Sequence, residues 1–316
     1  MTLLKKSDIQ AITISEQRGF KRNRDLAIYG LLLPGMLLVF IFNYIPLFGI
    51  IISFKEFSPF QGIMGSPWVG LKNFKFFLLD NNFWRVMKNT LIINIMQIII
   101  GFPVPVLFAL LLNELWSVKL KKILQTISYL PYFISWVVAA SIVSSILSPS
   151  TGIINMIIKN TFGMEAIHFL AKKEYFRTII VLSSMWKNFG MNAVYYIAAI
   201  SSIDNELYAA AKIDGAGKLR QIWHVTLPGI KSIAIVLLVL QVGSIVSIGF
   251  EQIFLLYNAL VYEVGDVIST YTYRLGIEQT RYSLTTAIGV TQSIVNFILV
   301  YFTNRLSRTF AGWSLW

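Results

Sequence analysis

The chain has no cysteine and only two histidines, so disulfides, thiolate metal sites and cysteine nucleophiles are excluded. Charge is scarce too. Asp, Glu, Lys and Arg make up 13% of the 316 residues, against about 25% in an average soluble domain. There is no HExxH zinc motif and no GxSxG nucleophile elbow, and the few carboxylates are scattered rather than paired for acid–base work. Gly215-Ala216-Gly217-Lys218 lacks the further glycine and the following Ser/Thr of a phosphate loop, since Leu219 stands in the hydroxyl position, so it is not a nucleotide site. What remains is apolar. Hydrophobic residues reach 56% with mean hydropathy +0.66, which places the chain among integral membrane proteins.

Charge-free runs cover Leu26–Phe54, Asn89–Asn113 and Tyr282–Asn304, each long enough to cross a hydrocarbon core of about 30 Å at about 1.5 Å per residue. The hydropathy pattern predicts an all-α protein with six spans, at about 27–53, 89–113, 123–147, 178–200, 232–256 and 284–304. A polar segment 1–26 precedes the first span and a tail 305–316 follows the last. The first span is too long for a signal-peptide core and no small-x-small site follows it, so it is expected to stay in the membrane. Pro34-Gly35, Pro46, Pro103, Pro105 and Pro131 invite kinks, which neighbouring helices can accommodate.

The net charge of +12 reads as topology and as attraction to anionic lipid rather than as nucleic-acid binding, because the basic residues flank the spans instead of forming one face. With both termini in the cytoplasm, the inner segments carry Lys5, Lys6, Arg18, Lys21, Arg22, Arg24, Lys119, Lys121, Lys122, Lys212, Lys218, Arg220, Lys231, Arg305 and Arg308. The positive-inside rule therefore favours this orientation. His168 and His224 then lie on opposite sides of the membrane, which removes a histidine metal pair. The outer segments 54–88, 148–177 and 257–283 are long. The first is rich in aromatic residues (Phe54, Phe57, Phe60, Trp68, Phe74, Phe76, Phe77 and Trp84) suited to the headgroup level. Together they are expected to form a platform for an external partner.

Between the fourth and fifth spans lies LYAAAKIDGAGKLRQIWHVTLP, residues 207–228. Asp204 or Asn205 can cap a short helix with Glu206 in its first turn, and Gly215 with Gly217 can end it. Three successive alanines, Ala209, Ala210 and Ala211, allow another protein's backbone to come close, as in helix-in-groove recognition. The segment resembles the cytoplasmic loop by which the membrane subunits of bacterial ABC importers grip their ATPase. Ala210, Ala211, Gly215, Leu227 and Pro228 match that family's pattern, and Val225 stands for its isoleucine. Ala209 departs from it, occupying the place of the usual glutamate. On this resemblance the ATPase-docking residues are Glu206, Leu207, Tyr208, Ala209, Ala210, Ala211, Lys212, Ile213, Asp214, Gly215, Ala216 and Gly217.

GSPWVGLKNF at 65–74, GFEQIFLLYNALVYEVGDVISTYTYRLG at 249–276 and SLW at 314–316 are similar to the maltose-type permeases, the binding-protein-dependent inner-membrane components, and within them to the subgroup for complex polysaccharides and oligosaccharides. The resemblance implies a bacterial cytoplasmic-membrane protein that pairs with a second homologous permease, two ATPase subunits and an extracytoplasmic solute-binding protein. It implies no cofactor in this chain, with ATP and Mg in the ATPase subunits.

Lys187 in span four and Glu251 in span five are predicted to lie where charge is costly, on the order of 3 kcal/mol at a helix centre. They are expected to pair with each other, to line the pathway, or to snorkel from a span whose bounds are set too deep. Sugar recognition needs aromatic platforms and amide hydrogen bonds. Lys187, Asn188, Asn192, Tyr195, Tyr196, Gln241, Phe250, Glu251, Gln292 and Asn296 are the candidate pathway residues, with Gln97 and Trp186 nearby in the pattern. On helical spacing 188, 192, 195 and 196 share a face, whereas 186 points elsewhere. The expected function is a permease subunit of an ATP-driven importer for an oligosaccharide or polysaccharide fragment. The alternatives are another solute, lipid-linked or peptide, a membrane-embedded glycan or lipid enzyme, and a passive channel.

Overall fold

The computed structural model describes residues 28–247 and 249–312. The sequence assignments that fall on the polar N-terminal segment and on SLW at 314–316 lie outside the described residues. The chain divides into two compact units, Met1–Gly70 and Leu71–Trp316.

In the first unit α1, Ile28–Phe54, is an unbroken apolar helix of 27 residues with almost every side chain exposed. A π-helical turn at Phe40–Tyr44 precedes Pro46, and the helix tightens to 3-10 geometry over Ile45–Phe54. Such a switch fits a proline whose ring displaces the carbonyl one turn back. The chain then doubles back. Val69 donates to the Phe54 carbonyl at 2.9 Å, Glu56 donates to that of Pro67 at 2.9 Å, and the Phe54 and Trp68 rings stack at 5.8 Å.

The second unit holds α2 (Lys72–Leu79), α3 (Asn81–Glu114), α4 (Val118–Phe133), α5 (Trp136–Leu147), α6 (Ile153–Phe162), α7 (Lys173–Ser201), α8 (Asn205–Ile213), α9 (Lys218–Gly243), α10 (Phe250–Leu256), α11 (Ile268–Tyr273) and α12 (Tyr282–Ala311). Among the described residues the only β pairing is an isolated bridge between Lys55 and Trp68, in the first unit. Four helices, α1, α3, α9 and α12, are long and apolar enough to cross a membrane, and α4 with α5 forms a fifth candidate only if the bent pair counts as one. The 29-residue α7 is longer than most of these but carries Lys173, Glu174, Arg177 and Lys187.

Helix α7 is the axis of this unit, packing against α3, α4 and α9. Lipid supplies no hydrophobic drive between helices, so close approach through small residues holds them. A Cβ on Gly190 of α7 would sit 2.1 Å from the Ser128 carbonyl oxygen of α4, and one on Gly243 of α9 would sit 2.3 Å from Val300 of α12. Three buried clusters run through the unit: Phe77, Phe83, Ile268 and Ile288 in one, Ile93, Phe176, Ile180 and Ile253 in the next, and Ala109, Ala193, Tyr196 and Ile230 in the third.

Two of the expected spans are interrupted. Hydropathy over 123–147 is continuous, but the structure turns by 103° between α4 and α5. Pro131 lies in the last turn of α4, Ile134 is extended, and the Ser135 hydroxyl caps α5 by accepting from Val138 N at 3.3 Å. The span expected over 232–256 likewise stops at Gly243, and the chain resumes as a helix only at Phe250. Phe250 and Glu251 therefore sit on the short α10, which packs on α5, and not within a continuous span. From α12, Gln292 donates to the freed Val246 carbonyl at 2.5 Å, and Asn296 donates to the Ser247 side-chain hydroxyl at 3.0 Å.

At the end of the unit away from α8, polar groups knit the segments together. Asp266 is fully buried. Its carboxylate accepts a bidentate pair from Arg274, at 2.9 and 2.5 Å, and a third bond from Thr270 at 2.8 Å. Burial alone would lower the Arg274 pKa, but the Asp266 hydrogen bonds and charge outweigh it and raise it. Burial raises the Tyr271 pKa as well, helped by the hydrogen bond that Tyr271 donates to Asp80 at 2.7 Å. Asn89 of α3 donates to the backbone carbonyls of Glu263 and Asp266, and accepts from Arg177 of α7 at 2.8 Å. Nearby, Lys173 hydrogen-bonds Glu263 and holds that carboxyl below the usual carboxylate range.

Candidate functional site

The loop between α7 and α9 forms α8, and its residues stand clear of the chain's own core. The Asp204 carboxylate caps it by accepting from Glu206 N at 2.9 Å, and Glu206 in the first turn with Lys212 in the last suits the helix dipole. Gly215 ends it in the left-handed region at φ 74°, with Ala216 N reaching back to the Ala211 carbonyl at 2.8 Å. No residue of α8 is buried, and Ile213 is 87% exposed. Leu207, Ala209 and Ala210 are also exposed, while Tyr208 and Ala211 are half-buried.

One contact fastens this helix to α9, and two more hold the turn and the start of α9 that follow it. The Tyr208 hydroxyl meets that of Thr226 at 3.0 Å, and the buried Gln221 donates to the Ala216 carbonyl at 2.8 Å. Lys218 pairs with Glu114 at the end of α3 at 2.7 Å. The helix thus presents an open face of small and apolar residues and is held to α9 through Tyr208.

A second feature lies between α3, α7 and α9. Two adjoining cavities of about 160 and 260 Å³ share Gly101, Asn192 and Gln241. Gln97, Ser184 and Asn188 line the first, and Phe102, Tyr195 and Tyr196 the second. Asn188, Asn192, Tyr195, Tyr196 and Gln241, five of the expected pathway residues, are thus brought together as the helical spacing required. Asn188 is oriented by donating to the Ser184 carbonyl at 2.8 Å. Tyr196 is almost wholly buried and meets Phe102 edge-on at 6.3 Å, so it serves the wall more than the lumen. Ser184, Gly101 and Phe102 were not singled out in the sequence. For Gly101 and Phe102 the signal was the Gly101-Phe102-Pro103 interruption of an otherwise apolar helix, and for Ser184 it was the four-residue spacing to Asn188 on α7. Trp186 points away, into an apolar groove with Ile142 and Leu182.

The remaining candidates lie elsewhere. Gln292 and Asn296 close the break after α9, as described, although Asn296 keeps a buried Oδ1 without a partner among the described residues. Phe250 stacks on Phe254 at 4.8 Å and lies 5.0 Å from Tyr273. Glu251 is exposed, and no ion pair joins it to Lys187 among the described residues. The expected pairing of these two charges is therefore replaced by a different arrangement. Lys187 is 6% exposed and donates to the Tyr132 carbonyl at 2.8 Å and to that of Pro131 at 3.4 Å. Its ammonium also lies 5.4 Å from the centre of the Tyr132 ring and 5.5 Å from that of Trp136. The elbow between α4 and α5 frees carbonyls at its last turn, and the buried ammonium satisfies them.

A bundle of long apolar helices with an exposed, pinned interhelical loop and a polar crevice beside it defines a transport permease. The chain belongs to the family of binding-protein-dependent transport system inner membrane components, which its residues 88–311 match. It is 44% identical over 283 residues to the polygalacturonan/rhamnogalacturonan transport system permease protein YteP of Bacillus subtilis strain 168, covering 90% of this chain and 88% of that protein. It is 41% identical to the protein LplB of the same organism, covering 98% of each. Among solved structures, a bacterial ABC transporter involved in the import of the acidic polysaccharide alginate matches with a TM-score of 0.84 at 40% identity, over 93% of this chain and 99% of that one. The bacterial alginate ABC transporter in complex with alginate pentasaccharide-bound periplasmic protein matches equally well, at 39% identity.

Proposed function

We propose that this chain is one permease subunit of an ATP-driven importer for an acidic, uronate-bearing oligosaccharide. The observation that carries the reading is the pinned, exposed α8 beside a polar, aromatic-walled crevice. The similarity to permeases for polygalacturonan/rhamnogalacturonan and alginate supports the substrate class. In this reading the chain crosses the membrane six times with both termini and α8 in the cytoplasm. α8 docks into an ATPase subunit, a second ATPase subunit serves a homologous partner permease, and a solute-binding protein delivers the sugar from outside. ATP and Mg are held by the ATPase subunits.

The mechanism follows from the fastenings. ATPase closure displaces α8, the Tyr208–Thr226 contact passes the displacement to α9, and Lys218 of α9 passes it on to Glu114 of α3, so that two walls of the crevice move. Asn188, Asn192 and Gln241 offer amide donors and acceptors to sugar hydroxyls, and Tyr195 offers a ring face. Moving α3 and α9 against α7 opens the crevice to one side at a time. The test is uptake by proteoliposomes holding the chain with its partner subunits, ATP and binding protein. ATP-dependent accumulation of an oligogalacturonide is expected, and loss of most of it in Asn192→Ala with normal complex yield. Uptake without ATP, or no uptake of any uronate oligosaccharide, overturns the reading.

A further inference from the structure

At the end of the unit opposite α8, a cavity of about 450 Å³ opens between α2, α3, α11 and the start of α12. Arg85, Arg274 and Arg281 line it together with Asp80, Asn82, Gln279 and Tyr271, three cations against one carboxylate. The carboxylates around it are already committed. Asp266 is taken by Arg274 and Thr270, Asp80 accepts from Tyr271 and from Asn82 N, and Glu263 is bonded to Lys173. Among the described residues the one ion pair of Arg85 is with Asp266 at 4.0 Å, whose oxygen already accepts from Arg274 at 2.5 Å, while Glu263 feels its charge only at longer range. Arg281 lies over the Phe76 ring at 5.9 Å, which orients the guanidinium without using its N–H donors.

Two planar forks with unused donors, held at one cavity and flanked by an amide on each side, match a carboxylate in geometry as well as sign. We infer that this cavity is an entry subsite that binds a uronate carboxylate of the substrate before the sugar reaches the crevice. This rests on the substrate class proposed above and adds the place where its charge is read. Arg274 supplies rigidity, being tied to Asp266, while Arg85 and Arg281 make the contacts. Asn82 and Gln279 are placed for the ring hydroxyls. A neutral sugar leaves both guanidiniums unpaired and gains little here.

The test uses the assembled transporter in nanodiscs, without binding protein, and trigalacturonate as the probe. Trigalacturonate is expected to bind the wild type, its methyl ester is expected not to compete, and Arg85→Gln with Arg281→Gln is expected to weaken binding by about tenfold, the scale of losing charge-assisted bonds. Arg85→Lys with Arg281→Lys keeps the charge without the fork and should fall between. Arg85 reaches the buried Asp266 only at 4.0 Å, and that carboxylate keeps its bonds from Arg274 and Thr270 in the variants, so complex yield is the check on folding. Absent binding to the wild type, unchanged binding in the glutamine variant, or equal competition by the ester overturns the proposal. So does a variant that keeps trigalacturonate affinity but needs more binding protein to stimulate the ATPase, which assigns the cavity to protein docking. Uptake of trigalacturonate by the wild type with its binding protein decides the substrate class separately, so the subsite can fail while that reading stands.

Discussion

Lys187 shows how one residue reports on architecture beyond its own helix. An ammonium in an apolar span costs on the order of 3 kcal/mol unless something receives its donors, and here two carbonyls and two rings do so. Lys187→Met should leave the Pro131 and Tyr132 carbonyls short of a donor and lower stability by about 1–3 kcal/mol, read as a lower melting temperature of the purified complex. Glu251→Gln should leave it unchanged, and the double variant should match Lys187→Met alone. Recovery in the double variant would restore the ion pair as the correct description. The sequence made the need for a partner plain but not its identity, because continuous hydropathy over 123–147 hides the elbow whose carbonyls Lys187 receives. The same limit applies to Gln292 and Asn296. Their amides read as sugar contacts, and only the interruption after Gly243 shows that Gln292 also receives a backbone carbonyl and Asn296 the Ser247 hydroxyl.

At the scale of the element, α8 was legible almost residue by residue, since capping, dipole charges and a left-handed glycine are local properties that three-dimensional packing does not override. Asp204 rather than Asn205 takes the cap, a choice the sequence left open. Gly215→Ala should cost about 1 kcal/mol through its positive φ and leave transport measurable. Gly215→Asp and Ala210→Arg add charge to the face offered to a partner. Both should leave insertion intact while cutting ATPase co-purification and sugar uptake several-fold. Normal values for both would remove α8 as the docking element. The crevice was legible in part. Helical spacing grouped 188, 192, 195 and 196, but the facing wall at Gly101 and Phe102 depends on how α3 crosses α7, which no single-helix pattern encodes.

For the whole molecule, the lack of cysteine provides a ready background for testing orientation. Ile213→Cys, at an 87% exposed position, should react with a membrane-impermeant maleimide only in inside-out vesicles and be protected by the ATPase. Leu260→Cys, at 65% exposure, should react only from the outside. The reverse pattern would invert the topology. One helix runs the length of the second unit without interruption. α7 keeps its hydrogen-bond ladder for 29 residues, about 43 Å, and ends only three residues before α8 begins. Where α4 with α5 breaks at an elbow and α9 stops short, α7 behaves as a rigid beam. Each degree of tilt at its lower end swings its upper end by about 0.7 Å at that length. Arg177, near that upper end, holds Asn89 at 2.8 Å and the Val264 carbonyl at 3.2 Å. A rotation of only two or three degrees therefore exceeds what those two bonds tolerate, so the segment around Val264 must either travel with the beam or let go of it.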